Sequence, residues 1–445
     1  MNIIQITPGA GSMFCGGCLR DNALVKELRR LGHETLMVPL YLPLTLDEED
    51  QSQGTPIFFG GINVYLQQKS SFFRNVPGWL HNLLSSPRLL KLAAGSAAKT
   101  RAEDVGELTL SMLRGEDGNQ VRELEQLINW LRGQPTPDVV NLSNALLLGL
   151  ARRLKSDLGV PVVCTLQGED TFLDALPTAL REEAWGLLSE RASAVDLFVA
   201  PSQYFGDLMR KRLGVPAEKI RIVHNGINLD GYGTASPSDP RRHAPPVLGY
   251  FARMCREKGL ETVVDAFIAL KQRGGHPGLK LKVGGSCGPT DAVLVEALKK
   301  RLQAGGLAED VSFFPNLDRP GKIDFLKSLT VFSAPALYGE AFGLYVIEAL
   351  ASGVPVVQPR HAAFPELLHA TQGGLLYDPQ DPEALAASID QLLTHPEQAR
   401  DLGEKGRRAV TEKFTVERMA TDLVEVYGQA GAARAFFHSQ SGLPQ

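Results

Sequence analysis

The segment MNIIQITPGAGSMFCGGCLRDNALVKELRRLG (residues 1–32) contains the local pattern that decides the fold. Its apolar run at 3–6 predicts a buried β-strand, and a glycine-rich turn leads from that run into a helix-length segment. Leucine and alanine side chains recur along one face of the segment, and Gly32 closes it. A strand, a tight turn and an amphipathic helix are the repeating unit of parallel sheets that helices cover on both faces.

Two blocks of this repeating unit follow each other along the chain. The strands predicted in the first block lie at 3–6, 35–40, 138–142, 161–166, 197–200 and 220–223. The strands predicted in the second block lie at 247–251, 281–283, 311–314, 331–334, 354–357 and 374–377. We therefore expect an α/β protein of two Rossmann-like, doubly wound domains that face each other across a cleft, with ligands at the carboxyl ends of the strands.

Changes in composition indicate where the domains begin and end. Residues 1–227 are predicted to form the N-terminal domain, and a Gly-, Ser-, Pro- and Asp-rich stretch at 228–246 is predicted to be a linker. The second domain is expected at 247–412, and the remaining segment, 413–445, is expected to be helical.

A long segment at 41–137 interrupts the first block. It exceeds the length of an ordinary βα connection, so it is predicted to be an insertion with structure of its own. The aromatic stretch at 70–80 within it could form part of an acceptor site or lie on a membrane surface. We favour a role in local core packing, since aromatic clusters are more often packed than functional.

Composition places the chain among ordinary globular proteins. Hydrophobic residues make up 44% and charged residues 22% of its 445 residues, and the formal net charge is -4. This charge argues against a large basic surface for nucleic acid, so a small-molecule partner is expected. The 5 cysteines are too few and odd in number for a disulfide scaffold, which favours a reducing compartment. The sequence contains no secretion signal and no apolar run of about 18 residues, so we expect a cytoplasmic location, with peripheral contact at the inner membrane face left open.

The segment EAFGLYVIEAL at 340–350 is the strongest functional signal. Glu340 lies in a predicted strand-to-helix turn and Glu348 two helical turns later, so both can approach one elongated ligand. Backbone N–H groups at 341–344 stand at a helix N-terminus and suit a phosphate or sugar hydroxyls. A nucleotide sugar contains both a phosphate and sugar hydroxyls. Spacing alone supports equally well the alternative that both glutamates are solvated helix-end charges.

A pair of cations, Arg253 and Lys258, follows the first strand of the second block. A guanidinium and an ammonium are suited to clamp a diphosphate, because both neutralise its charge without a metal ion. Taken alone, this spacing would fit a solvated loop. Its combination with the glutamate segment favours the clamp.

These motifs resemble those of the retaining glycosyltransferases of the two-Rossmann GT-B fold, in family 4 (glycosyl transferases group 1). The resemblance also covers the glycine-rich 9–17, NGIN at 225–228, the Gly284–Gly285 pair and GGLLYDP at 373–379. It implies a metal-independent hexosyltransferase without a cofactor, which moves a sugar from a nucleoside diphosphate to an acceptor with retention of anomeric configuration. UDP is the default nucleotide, the acceptor is unidentified, and the C-terminal helix is expected to cross back to the N-terminal domain.

The resemblance also implies roles for particular residues. Arg253 and Lys258 would hold the donor diphosphate, Glu348 the ribose hydroxyls, and Glu340 the donor sugar, with Arg253, Lys258 and Glu340 as the catalytic set. The further donor-binding positions are the backbone of Phe342, Gly343 and Leu344, and the glycines Gly16, Gly17 and Gly285. Removing one such preorganised group typically slows a reaction by ~100- to 1,000-fold.

The chain departs from the family pattern at Gln167, where many members have a histidine that lines the donor sugar. An amide can hydrogen-bond a sugar hydroxyl but carries no charge, so Gln167 is predicted to bind the donor without titrating. Glu169 and Asp170 are acceptor-side candidates that could supply a carboxylate. Acids at the start of a helix are an equally good interpretation of these two residues.

Three competing interpretations remain open. Cys15 and Cys18 could form a redox pair or half of a zinc site, although we favour small buried cysteines beside glycines that admit a ligand. The chain could be a non-catalytic nucleotide-sugar-binding protein of the same fold, an alternative that Gln167 supports. An NAD-dependent oxidoreductase is less favoured, because the third glycine of the dinucleotide fingerprint and the acid that binds ribose are missing.

Overall fold

The structure, a computed structural model, describes residues 1–9, 15–59, 102–233 and 245–441. The chain divides into two compact units. Unit 1 consists of Met1–His224 and Met419–Gln445, and unit 2 consists of Asn225–Arg418. The aromatic stretch predicted at 70–80 lies outside the described residues.

Unit 1 contains a parallel sheet of six strands in the order β2-β1-β3-β4-β5-β6. The strands are β1 Asn2–Thr7, β2 Glu34–Pro39, β3 Val139–Leu142, β4 Val162–Thr165, β5 Leu197–Ala200 and β6 Ile220–Ile222. Their side chains are almost all buried in the five strands other than β6, as expected for a parallel sheet covered on both faces.

Seven helices of unit 1 lie before its last strand in the described residues. They are α1 Gly16–Arg30, α2 Ala102–Arg114, α3 Val121–Arg132, α4 Ala151–Leu158, α5 Glu169–Asp174, α6 Thr178–Arg191 and α7 Gln203–Leu213. Ser202 is the N-cap of α7, and its hydroxyl accepts a hydrogen bond from the backbone N–H of Phe205 at 3.1 Å.

Helices α2 and α3 come from the segment predicted to be an insertion. They bury leucine and isoleucine side chains, among them Leu113, Leu127 and Ile128, and they pack against α6 and α4 respectively. This part of 41–137 therefore belongs to the helical layer of unit 1, because its apolar faces complete the core.

Unit 2 contains a second parallel sheet of six strands in the order β12-β11-β10-β7-β8-β9. The strands are β7 Val247–Phe251, β8 Lys280–Gly285, β9 Val311–Pro315, β10 Val331–Phe332, β11 Val356–Pro359 and β12 Gly374–Tyr377. All twelve strands in the described residues lie within two residues of their predicted bounds, so the predicted α/β class with two doubly wound domains is confirmed.

The helices of unit 2 follow its strands. They are α8 Leu260–Arg273, α9 Pro289–Ala304, α10 Arg319–Lys327, α11 Leu344–Ala351, α12 Phe364–Thr371, α13 Ala384–Thr394 and α14 Pro396–Lys413. Helices and strands share one apolar core whose largest fully buried side chains include Tyr250, Phe267 and Phe332.

The predicted linker and the segment before it differ from expectation. Asn225, Gly226 and Ile227 belong to unit 2 rather than to the first unit, because Ile227 pairs with Thr415 and packs into the core of unit 2. Within the predicted linker, Tyr232 is only 4% exposed in that same core. An apolar side chain stays packed even where the surrounding composition is typical of a loop.

The final helix, α15 Val416–Ser441, begins in unit 2. From Met419 onward the chain belongs to unit 1, where Gln429 accepts a hydrogen bond from Arg221 at 2.7 Å and Tyr427 is buried. Among the described residues, no helix is both long and apolar enough to cross a membrane.

Candidate active site

The loops at the carboxyl ends of the strands in unit 2 are joined to one another by backbone hydrogen bonds. The loop after β7 bonds to the loop after β8 through the N–H of Met254 and the carbonyl of Ser286, at 2.8 Å. It bonds to the loop after β10 through the N–H of Leu337 and the carbonyl of Glu257, also at 2.8 Å. The predicted cations and acids therefore stand on a braced edge of the sheet, where open α/β sheets bind ligands.

Lys258 and Glu340 form an ion pair at this edge. Lys258 Nζ donates to Glu340 Oε2 at 2.6 Å, and their side chains are only 20% and 12% exposed. Two aromatic rings flank the ammonium group: Lys258 Nζ lies 4.8 Å from the ring centroid of Tyr338 and 5.1 Å from that of Tyr345. The rings add cation–π attraction that holds the ammonium in place.

The same carboxylate oxygen of Glu340 accepts hydrogen bonds from both tyrosine hydroxyls, at 2.8 Å from Tyr345 and 3.3 Å from Tyr338. Burial by itself would raise the pKa of Glu340. The charge of Lys258 and the hydrogen bonds from Lys258, Tyr345 and Tyr338 outweigh burial, and the pKa is lowered. Burial and then the charge of Glu340 raise the pKa of Tyr345, which stays a neutral donor. Glu340 is therefore an ionised carboxylate that accepts hydrogen bonds from three side chains.

The turn after Lys258 lies very close to the loop after β10, and this close contact places Lys258 near Glu340. Gly259, the N-cap of α8, has φ 75°. A Cβ atom at that position would lie 2.1 Å from the carbonyl oxygen of Pro335 in the loop after β10. Only glycine allows the turn after Lys258 to approach that loop.

Arg253 pairs with Asp291, which follows β8, whereas Lys258 pairs with a residue that follows β10; β8 and β10 flank β7 on opposite sides. Arg253 Nε and Nη2 donate to the two carboxylate oxygens of Asp291 at 3.0 Å each, and Asp291 Oδ2 also accepts from the backbone N–H of Gly288. The Arg253 side chain remains 54% exposed, whereas that of Asp291 is 7% exposed. The hydrogen bonds to Asp291 are the main cause of the raised pKa of Arg253. A buried acid at the start of α9 thus orients an accessible guanidinium.

Glu348 forms a third ion pair. Lys322 Nζ of α10 donates to Glu348 Oε1 of α11 at 2.8 Å, with side chains 10% and 16% exposed. The sequence predicted Arg253, Lys258, Glu340 and Glu348 as ligand-binding charges and did not predict their counter-ions. The structure places these four side chains in three ion pairs, with Asp291 and Lys322 as the additional partners.

The predicted donor-binding backbone stands at the start of α11. Gly343 is the N-cap residue with φ 94°, Leu344 is the first helical residue, and Phe342 is buried against Phe414. Gly285 at the end of β8 has φ 125°, and a Cβ atom there would lie 1.8 Å from the carbonyl oxygen of Ala252. The close contact between neighbouring strand ends therefore accounts for glycine at 285.

The remaining candidates belong to unit 1. Gly16 and Gly17 form the first turn of α1. A Cβ atom on Gly17 would lie 3.3 Å from Gln167 Oε1, so these two predicted positions are close together. The Gln167 amide donates to the carbonyl of Ser143 at 3.1 Å.

The two acceptor-side candidates have different surroundings. Glu169 is buried, and its carboxylate accepts from the backbone N–H groups of Ala145 at 2.7 Å and Gln167 at 2.8 Å. This arrangement favours a structural role for Glu169 in joining two loops. Asp170 is also buried, and its Oδ1 has no hydrogen-bond partner among the described residues. Burial is the main cause of its raised pKa.

Sequence reasoning missed four partners of the predicted site: Tyr338, Tyr345, Asp291 and Lys322. Tyr338 and Tyr345 lie next to or within the 340–350 motif, and their proximity to Glu340 could have marked them. Asp291 and Lys322 lie 38 and 26 residues from their partners, and no local pattern predicts such pairs. No group of three or more potential metal-binding side chains occurs in the part of the chain that the structure describes.

Two doubly wound units, with paired charges at the carboxyl edge of one sheet, define a two-domain α/β protein of the doubly wound class. The sequence model described as "Glycosyl transferases group 1" matches residues 234–409, and that described as "Glycosyltransferase Family 4" matches residues 106–230. The chain belongs to the family 4, group 1 glycosyltransferases.

Curated relatives carry the names of sugar-transferring enzymes. Glycogen synthase of Mycobacterium tuberculosis is 27% identical over 301 residues, which cover 65% of this chain and 68% of that protein. The alpha-maltose-1-phosphate synthase of Mycolicibacterium smegmatis is 25% identical over 304 residues, covering 64% and 77%. The chain is therefore a glycosyltransferase enzyme.

Solved structures share the fold. Sucrose-phosphate synthase from Thermosynechococcus elongatus superposes with a TM-score of 0.71 at 20% identity, over 97% of this chain and 100% of that one. Anabaena Alr3699/HepE, solved in complex with UDP, gives a TM-score of 0.67 at 16% identity, over 96% and 100%. These similarities confirm the GT-B fold.

Proposed function

We propose that this protein transfers a hexose-type sugar from a UDP-sugar to an acceptor, with retention of anomeric configuration and without a metal ion. The observation that carries the proposal is the Lys258–Glu340 pair, held at 2.6 Å between two tyrosine rings at the edge where α/β sheets bind nucleotides. Family membership supports the transfer reaction. The choice of donor, the stereochemistry and the metal independence are parts of the proposal.

The chemistry requires stabilisation of a leaving group. Cleavage of the sugar–phosphate bond leaves negative charge on the nucleoside diphosphate, and cations fixed in advance stabilise that charge as it develops. Lys258 is partly buried and paired with Glu340, whereas Arg253 is accessible and oriented by Asp291. The two cations together would neutralise a diphosphate, which is the role a metal ion has in other transferases.

Retention requires no protein nucleophile in this scheme. The departing phosphate oxygen would take the proton of the acceptor hydroxyl on the same face of the sugar. Glu340 stays ionised because its pKa is lowered, so its oxygens can accept hydrogen bonds from sugar hydroxyls. The backbone of Phe342, Gly343 and Leu344 is the proposed second contact with the sugar, and Glu348 the proposed contact with ribose.

UDP is the first nucleotide to test. Anabaena Alr3699/HepE, which shares the fold, was solved in complex with UDP-glucose. In unit 1, Gly16, Gly17 and Gln167 are the proposed donor-side positions. Asp170, with its unpartnered buried oxygen, is the proposed acceptor-side carboxylate.

Thermal shift with UDP, GDP, ADP and NAD tests the donor class. A ligand at ~100 times its Kd stabilises a protein by about 2.7 kcal/mol. We expect UDP and UDP-glucose to raise the melting temperature in the presence of EDTA. Stabilisation by NAD alone would contradict the proposal in favour of an oxidoreductase.

Hydrolysis or transfer of UDP-glucose then distinguishes an enzyme from a binding protein. Lys258→Ala should lower the rate by ~100- to 1,000-fold. Lys405→Ala is the matched control, because Lys405 is 53% exposed on α14 and pairs with Asp401, a surface aspartate of the same helix. An unchanged rate in Lys258→Ala, or a product with inverted configuration by NMR, would refute the mechanism.

A further inference from the structure

Cys15 and Cys18 stand together at the start of α1. Cys15 is the N-cap residue with an extended backbone (φ -117°, ψ 120°), and Cys18 is the third residue of the helix. N-cap and third-position side chains lie next to each other at a helix start. Only the glycines Gly16 and Gly17 separate them, so no intervening side chain covers the pair.

The two thiols differ in accessibility. Cys15 is partly exposed and its neighbour Gly16 is exposed, whereas Cys18 is only 1% exposed. Both are free thiols. A partly exposed cysteine beside a buried one is the arrangement in which the first thiol reacts with an outside disulfide and the second resolves the product.

The pKa values of the two thiols also differ, and in opposite directions. Interaction with the Cys18 thiol, followed by the backbone N–H groups of Cys18 and Gly17, lowers the pKa of Cys15 to about 6, although burial acts in the opposite direction. The interaction with Cys15 and burial raise the pKa of Cys18. The lowered pKa of Cys15 favours its thiolate form, and the raised pKa of Cys18 favours its thiol form.

The other cysteines lack these properties. Cys164 and Cys255 are buried, Cys287 is partly exposed, and burial raises the pKa of all three. Cys15 is thus the only cysteine of the chain with a lowered pKa.

We propose that Cys15 and Cys18 form a redox-active dithiol, which low-molecular-weight disulfides such as oxidised glutathione convert to an intramolecular disulfide. This thiol–disulfide exchange is a different reaction from glycosyl transfer. The structure moves the interpretation away from two small buried cysteines, because Cys15 is partly exposed and stands at the N-cap of the helix whose first turn contains Cys18.

The reaction balances without further reactants. The Cys15 thiolate attacks one sulfur of the disulfide RSSR, forms a mixed disulfide and releases RS⁻. Cys18 transfers its proton to the released thiolate and attacks the Cys15 sulfur. The Cys15–Cys18 bond forms, the mixed disulfide bond breaks, and the second RS⁻ leaves and takes a proton from solvent. Two thiols are oxidised and one RSSR is reduced to two RSH. Asp21 is not required as the base, since Arg20 and Ser143 already bind its carboxylate.

A redox titration of the full chain tests the proposal. Reduced protein is equilibrated with mixtures of oxidised and reduced glutathione, quenched in acid, alkylated and mapped by peptide mass spectrometry. We expect Cys15 and Cys18 to become protected together, joined in one peptide-mapped disulfide. If both remain open to alkylation in mixtures that modify Cys287, the proposal is wrong.

Single variants distinguish the two sulfurs. Cys18→Ser should accumulate glutathione on Cys15, because the resolving thiol is gone. Cys15→Ser should leave the buried Cys18 unmodified, and the control Cys287→Ser should oxidise like the original protein. Iodoacetamide labelling of Cys15 in the unmodified chain, which needs no variant, should show a pH midpoint near 6. A midpoint near the ~8.5 of an ordinary thiol would overturn the proposal.

Discussion

Replacement of Lys258 by alanine tests the physical account of the candidate active site without relying on any substrate. The substitution removes the ammonium group bonded to Glu340 and leaves its carboxylate buried with the hydroxyls of Tyr338 and Tyr345. A buried charge without its counter-ion is unfavourable, because the protein interior solvates it less well than water does.

The magnitude follows from the geometry of the pair. At 2.6 Å between Nζ and Oε2, an effective dielectric constant of about 20 gives an attraction of roughly 6 kcal/mol. The cost of removing both groups from water offsets part of this attraction in the native protein. Loss of one partner of a buried pair typically costs about 3–5 kcal/mol. We expect about 3 kcal/mol here, since two hydroxyls still bind Glu340.

The effect depends on pH in a defined direction. In the native protein the pKa of Glu340 is lowered, so its pairing stabilises the fold above the unfolded pKa of about 4.3 and is lost as the pH falls through the lowered value. In Lys258→Ala, burial acts without the opposing lysine charge and raises the pKa of Glu340. The variant then gains protonation on folding, so the stability difference should shrink from pH 8 to pH 5.

Hydrogen exchange read by mass spectrometry is the suitable assay. All tryptophans of the chain precede Asn225, so their fluorescence does not report on unit 2. Exchange in peptides that span β7 and β10 measures unit 2 directly. The double variant Lys258→Ala/Glu340→Gln should recover at least half of the loss. A loss below about 1 kcal/mol, or one of equal size at both pH values, would refute the reasoning.

Three further predictions concern single residues. Arg253→Ala should reduce glycosyl transfer by ~100-fold or more yet destabilise unit 2 less than Lys258→Ala does, because the Arg253 side chain is 54% exposed and the N–H of Gly288 still binds Asp291; unchanged transfer would contradict its role. Gly259→Ala should destabilise unit 2 by about 3 kcal/mol in denaturant melts, since its Cβ would lie 2.1 Å from the Pro335 carbonyl oxygen at φ +75°; an unchanged midpoint would refute the close contact. Ser202→Ala should cost about 1 kcal/mol, seen as faster hydrogen exchange in α7, whereas Ser202→Asp should preserve the cap.

The strands were predictable because their physical cause is local. In a parallel sheet covered on both faces, each strand is a short apolar run between turn residues, and such runs are visible in the sequence. The largest differences between predicted and observed strand ends occur where the backbone, rather than the side chains, sets the end of the strand. Strand β11 begins at Val356 rather than at the predicted 354, because Val354 bonds back to Ala349 and Pro355 has no N–H for the ladder.

The domain bounds were less predictable. The Asn225-Gly226-Ile227 segment follows the last strand of unit 1 without a break in composition, and nothing local shows that Ile227 packs with Thr415 in unit 2. Likewise, the loop-like composition after Asn228 conceals the buried Tyr232. Membership of a core depends on contacts with distant residues, which composition does not record.

The candidate site was predictable in its residue types and incomplete in its partners. The sequence identified Lys258 and Glu340, which are 82 residues apart and in direct contact. It also placed Arg253 and Glu348 at the same sheet edge. It did not pair Arg253 with Asp291 or Glu348 with Lys322, because a charged side chain on a helix can meet any element that the fold brings near.

The sequence by itself determined the succession of strands and helices along the chain, the glycosyltransferase family, and the residues that carry the charges of the candidate site. Only the tertiary structure decided which charge meets which, that Glu340 stays ionised under burial, and that Cys15 is partly exposed while Cys18 is buried. The physical reason is the distance along the chain over which each interaction acts. Backbone conformation and apolar periodicity act over a few residues, whereas burial, pKa and ion pairing are set by atoms that only folding brings together.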